Sequence, residues 1–98
     1  MATPSEIDGA RVLEIAEIAG RVTASGHVRH NVDGAALGPV PKLAIARYAG
    51  SSEVYLFHCD DAWAVLTDTL HDSVAAAKEH AEFEYPGCEN LWRKWNAV

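Results

Sequence analysis

Hydrophobic and polar positions alternate most cleanly in the middle of the chain. Over residues 42–49, Leu43, Ile45 and Arg47 share one side while Ala44, Ala46 and Tyr48 share the other, the two-residue period of a strand. Gly50-Ser51-Ser52 supplies a turn, and residues 53–59 return with Val54, Tyr55, Leu56 and Phe57, the most strand-like run in the sequence. Asp60-Asp61 makes a second tight turn, after which residues 63–67 form a third strand. Connections this short favour antiparallel neighbours, so the pattern predicts a meander.

A helix is predicted next, over residues 73–85. Ser73 is the best placed of three capping residues (Thr69, Asp72, Ser73), and Ala75 to Glu79 are mostly strong helix formers. Val74, Ala77, Ala81 and Tyr85 fall on one narrow stripe, small enough to sit close on a sheet, and Pro86-Gly87 ends the element. Phe83 points away from that stripe, so the tail around Trp92 and Trp95 is expected to fold back over it.

The N-terminal part is harder to read. Asp8, Arg11, Glu14, Glu17 and Arg21 recur every three or four residues, which suits a helix over residues 5–20 with Ser5 and Asp8 as a capping pair. Gly9 and the β-branched Val12, Ile15 and Ile18 argue for a strand, but a strand would lack clean alternation, so helix is favoured. Residues 21–30 read as a further strand. Residues 31–41 then form a loop, with a turn at Asp33-Gly34 and with Pro39 and Pro41 unable to donate ladder bonds.

Composition bounds the rest. A chain of 98 residues, 49% hydrophobic, can bury one core and reads as one domain. Its apolar runs are too short to span a membrane, and its first residues lack a secretory pattern, which gives a cytoplasmic expectation. Cys59 and Cys88 are then expected to be reduced and partly buried, with a disulfide the lesser alternative.

The net charge of −6 is segregated: residues 1–50 balance five basic groups against five acidic ones, while residues 51–98 set three against nine. Such a half would repel a nucleic acid and suits a partner with a basic surface.

Few residues point to chemistry. His58, Cys59, Asp60, Asp61, His71 and Asp72 are metal-ligand types without ligand spacing, since adjacent strand residues face opposite ways and no two of them stand at i,i+4 on a helix. His27 and His30, three apart in the strand read there, face apart in the same way. Asp60/Asp61 and Asp68/Asp72 suit a turn and a helix start better than acid–base catalysis. No nucleophile motif or phosphate-binding loop occurs, so neither catalytic nor metal residues are assigned, no cofactor is expected and an enzyme is not.

The strongest candidate surface is aromatic with an acidic rim. It comprises Asp60, Asp61, Glu79, Glu82, Phe83, Glu89, Trp92 and Trp95, while Trp63 is assigned to the core.

The residues Tyr55-Leu-Phe-His-Cys-Asp-Asp-Ala-Trp63, Thr67-Asp-Thr69, Ser73, Ala77-Lys78, Ala81-Glu-Phe-Glu-Tyr85 and Trp92 resemble a family of small bacterial proteins of uncharacterised function. That resemblance covers the C-terminal half and implies a stand-alone bacterial domain. It carries over no site.

The sequence therefore predicts an α+β fold: an antiparallel meander of about four strands, a C-terminal amphipathic helix on one face, and an N-terminal helix. The leading functional expectation is a non-enzymatic protein-interaction module. Its alternatives are a small-molecule or metal-binding domain, an immunity protein that neutralises a basic toxin, and a homodimer joined at a sheet edge.

Overall fold

The structure is a computed structural model and describes residues 3–26, 30–32 and 34–95. Eight strands dominate these residues: β1 (Glu6–Ile7), β2 (Ala10–Glu17), β3 (His30–Val32), β4 (Ala35–Leu37), β5 (Lys42–Arg47), β6 (Val54–Cys59), β7 (Val65–His71) and β8 (Arg93–Lys94). One α-helix, α1 (Val74–Glu84), and a 3-10 turn at Cys88–Asn90 complete the order. The fold is thus mostly β, which corrects the α+β expectation.

The main sheet is antiparallel throughout and runs β1-β2-β5-β6-β7, with β8 also paired to β2. β1 covers the outer edge of β2 at Ala10 and Arg11, and β8 covers the same edge at Glu14 and Ile15. β3 and β4 form a separate two-stranded hairpin.

The expected N-terminal helix is a strand for two physical reasons. Asp8 and Gly9 both have positive φ, 53° and 82°, the backbone of a two-residue hairpin turn matched to strand twist. Asp8-Gly9 therefore joins β1 to β2 instead of starting a helix. Pairing with β5 then shifts register between Val12 and Glu14, a bulge at Leu13. The extra residue puts Val12 and Ile15, three apart, into the same apolar cluster. A bulged strand thus carries the three-residue spacing of a helix.

Two further expectations move. Of the strand expected at residues 21–30, Arg21 to Gly26 is turn and irregular chain, residues 27–29 lie outside the described residues, and only His30 enters a strand. Asp33, in the expected turn, also lies outside them, but the segment around it is the β3–β4 hairpin. The third meander strand begins at Val65 and not at Trp63, which has a positive φ of 65° in the turn before it.

Burial follows the alternation. Leu43, Ile45, Val54 and Leu56 pack with Ala77 and Ala81 of α1 and with Tyr85 just after it, and Trp92 leans on that cluster. Ala44, Ala46, Phe57, Cys59 and Trp63 join Ile7, Ala10, Val12 and Ile15 on the opposite face, inside the curl of the sheet. The small Ala77 and Ala81 let the helix lie close on the sheet. Ser73 caps it, its hydroxyl accepting from the Ala76 N–H at 3.1 Å.

Phe57 is the largest of the fully buried side chains. Phe57→Ala should cost about 3–5 kcal/mol, measured by urea unfolding; a loss below about 1 kcal/mol would mean the second cluster is not a packed core.

Candidate metal centre

Three elements bring one ionisable group each to the helix-covered side of the sheet. β6 alternates Val54, Leu56 and His58 against Tyr55, Phe57 and Cys59, so His58 shares a face with the apolar residues under α1. Its side chain is completely buried.

Glu84 lies seven residues after Ala77, two helical turns along the same stripe, and is the charged member of the buried set Ala77, Ala81 and Glu84. His30 comes from β3, which sits beside β7. The chain ahead of β3 is strapped to the helix end: Ser25 donates its N–H to the Glu84 carbonyl at 2.8 Å and its hydroxyl to the Phe83 carbonyl at 2.9 Å.

The groups meet closely. His58 Nε2 lies 2.7 Å from Glu84 Oε1, and His30 Nε2 lies 3.2 Å from Glu84 Oε2. The two imidazole rings are 4.3 Å apart at their centroids. One ligand atom from each residue falls within 4.8 Å of the others, a grouping able to hold a metal ion.

Hydrogen bonding leaves the set incomplete. An ionised carboxylate only accepts, so His58 Nε2 donates to Glu84. His58 Nδ1 is buried without a hydrogen-bond partner among the described residues. His30 Nε2 stands 3.2 Å from Oε2 as an ion-pair neighbour, out of alignment for a well-formed hydrogen bond.

Electrostatics favour a charged carboxylate. Burial alone would raise the pKa of Glu84, but the His58 hydrogen bond and the charges of His58, His30 and His80 outweigh it and hold the group below its ordinary value. His30 is pushed below the ordinary imidazole value, first by desolvation, then by His58, against the opposing pull of Glu84. The result is an anionic acceptor beside an imidazole disposed to be neutral, the protonation states a metal ion requires.

The residues expected to form an aromatic, acid-rimmed surface do not assemble as one patch, although Glu79 and Phe83 share a cleft wall and Glu82 meets Glu89. Trp92 packs on the helix-side cluster and Trp95 on the opposite one, so the two do not share a patch. Phe83 is 55% exposed and not covered by the tail. Asp60 ties its own turn, Oδ1 accepting from the N–H groups of Ala62 and Ala64, while the carbonyl of exposed Asp61 accepts from Lys42. Glu82 accepts from the N–H groups of Gly87 and Glu89, closing the turn after α1, and Glu79 and Glu89 are exposed.

Of the metal-ligand types weighed in the sequence, His58 and His30 enter the centre, although neither was assigned to one. Cys59 faces the other cluster, His71 lies nearby, and Asp72 is exposed. Glu84 and His30 were missed as ligands, while His27 lies outside the described residues. The signal for Glu84 was there, a carboxylate on the apolar stripe, four residues after His80.

Both cysteines are buried and free, on opposite faces of the sheet. Burial pushes each thiol up to about 12. A thiol-specific disulfide reagent at pH 8 should therefore label neither in the native protein and both on unfolding; prompt native labelling would contradict their burial.

Among the described residues, no helix is long and apolar enough to cross a membrane. Comparison with protein-family models, with curated proteins and with solved structures finds no significant match, so the likeness of the C-terminal half to uncharacterised bacterial proteins is neither supported nor opposed, and the centre stands on its own geometry.

Proposed function

We propose that this protein binds a divalent transition-metal ion through His30, His58 and Glu84. The supporting observation is the convergence of two imidazoles and a carboxylate, from three elements, within 4.8 Å in a buried setting. His30 Nε2, the ligand atom that residue offers, makes no hydrogen bond among the described residues. Polar groups that lack a hydrogen bond in a core cost free energy, which an ion bound between them would offset.

The donor set suits zinc or ferrous iron, both of which take two histidines and one carboxylate and leave coordination positions open. Ligand atoms around a tetrahedral ion with normal bond lengths stand roughly 3.3 Å apart. The 3.2 Å separation of His30 Nε2 from Glu84 Oε2 is close to that spacing. The 2.7 Å one of His58 Nε2 from Oε1 would open by about half an ångström as an ion took the place of the Nε2 proton, which would move to Nδ1. Equilibrium dialysis against zinc should give a tight equivalent in the wild type that is lost in both His58→Gln and Glu84→Gln. Equal zinc binding by these variants would overturn the reading.

A second reading, docking of a basic protein partner, is favoured by a different observation. β7 is an edge of the main sheet and exposes Leu66 and Leu70, 37% and 49%, on either side of Asp68. On this reading the interaction surface is β7 and not the tryptophan tail. Sedimentation of the free protein separates self-association there from binding of a foreign partner.

A further inference from the structure

Two more histidines stand beside the buried centre. The rings of His71 and His80 are 5.0 Å apart at their centroids and tilted by 48°. His71 Nε2 is held 2.7 Å from Thr69 Oγ1, which fixes the ring and leaves Nδ1 as the atom available to a ligand. His80 Nε2 is buried without a hydrogen-bond partner among the described residues. Both residues line a surface cleft of about 440 Å³ with Ala76, Glu79 and Phe83, so an exposed carboxylate stands in its wall.

The placement of His80 links this cleft to the centre. It precedes Glu84 by four residues on α1, the spacing that stacks two ligands on one helix face about one pitch, roughly 5–6 Å, apart. The buried centre itself has little access to water: the side chains of His58, Glu84 and His30 are 0%, 6% and 10% exposed. An ion entering it must exchange its hydration shell for protein ligands, and an intermediate pair of imidazoles lets that happen in steps.

We infer that His71 and His80 form an outer, weaker cation site in the cleft, through which the buried centre is loaded. The inference rests on the metal-binding reading above and adds a second site and a route. Two imidazoles bind a divalent transition metal more weakly than two imidazoles with a buried carboxylate, and the Glu79 carboxylate raises the local cation concentration.

Titration of the metal-free protein with cobalt(II) chloride, followed by the absorbance of the bound ion, tests this. The wild type should show a tight phase and then a weak one. The double variant His71→Asn/His80→Asn should lose the weak phase, keep the tight amplitude, and fill the tight site slower by about tenfold or more in stopped flow. Retention of the tight amplitude also reports that the variant is folded. A wild type without the weak phase, or a double variant filling at the wild-type rate, overturns the outer site and leaves the buried centre standing. Absence of the tight phase from the wild type overturns both.

Discussion

Metal-free Glu84→Ala should unfold about 3–5 kcal/mol more readily than the wild type, the usual result of removing one partner from a buried charged pair. Glu84 is 4% exposed and His58 completely buried, so solvent does not replace the lost acceptor. The variant leaves His58 with Nε2 as well as Nδ1 unpaired, and it opens a cavity between α1 and β6. Glu84→Gln keeps an acceptor oxygen and should lose less. Urea denaturation in the presence of a chelator measures both; equal, small losses would mean that the carboxylate contributes nothing to the core.

The same groups set the direction of pH dependence in the metal-free protein. His30 and His71 are held below the ordinary imidazole value, chiefly by burial, so the unfolded chain binds protons there more readily. Their contribution is complete above about pH 6.5 and declines as pH falls through that value towards their lower native ones. Glu84, depressed in the fold, adds stability above the unfolded carboxylate value that is lost as pH falls through its native one. Both trends run the same way, so stability should fall on acidification from pH 7.

The second large effect is stabilisation by metal. A ligand that binds only the native state at a hundredfold its Kd adds about 2.7 kcal/mol. Zinc at such an excess should therefore raise the melting temperature of the wild type by ten degrees or more on the scale of roughly 4–8 °C per kcal/mol for domains of this size. The rise should vanish in His58→Ala, whatever that variant's own stability. A similar rise in both proteins would place the ion elsewhere.

The sequence made the elements around the centre readable and concealed the centre. β5, β6 and α1 were legible because their periods are regular: Leu43 and Ile45 alternate with Ala44 and Ala46, and Ser73 stands where a cap belongs. β2 was misread because the bulge at Leu13 replaces a two-residue period with a three-residue spacing. Asp8 was assigned with Ser5 to a capping pair, whereas Asp8 and Gly9 adopt the positive φ of a hairpin turn.

His30 and Glu84 could not be joined from sequence, since they are far apart in the chain and meet only after the β3–β4 hairpin settles beside β7. The sharper clue was local. His58 falls on the apolar face of β6, and Glu84 on the apolar face of α1. Two ionisable groups on facing buried surfaces need each other, or an ion between them.

X-ray absorption at the zinc edge of the loaded protein tests the central claim most directly. The account predicts two imidazole nitrogens and carboxylate oxygen at about 2.0–2.2 Å, without sulfur although two cysteines are present. A shell containing sulfur near 2.3 Å, or one without imidazole scattering, would contradict it.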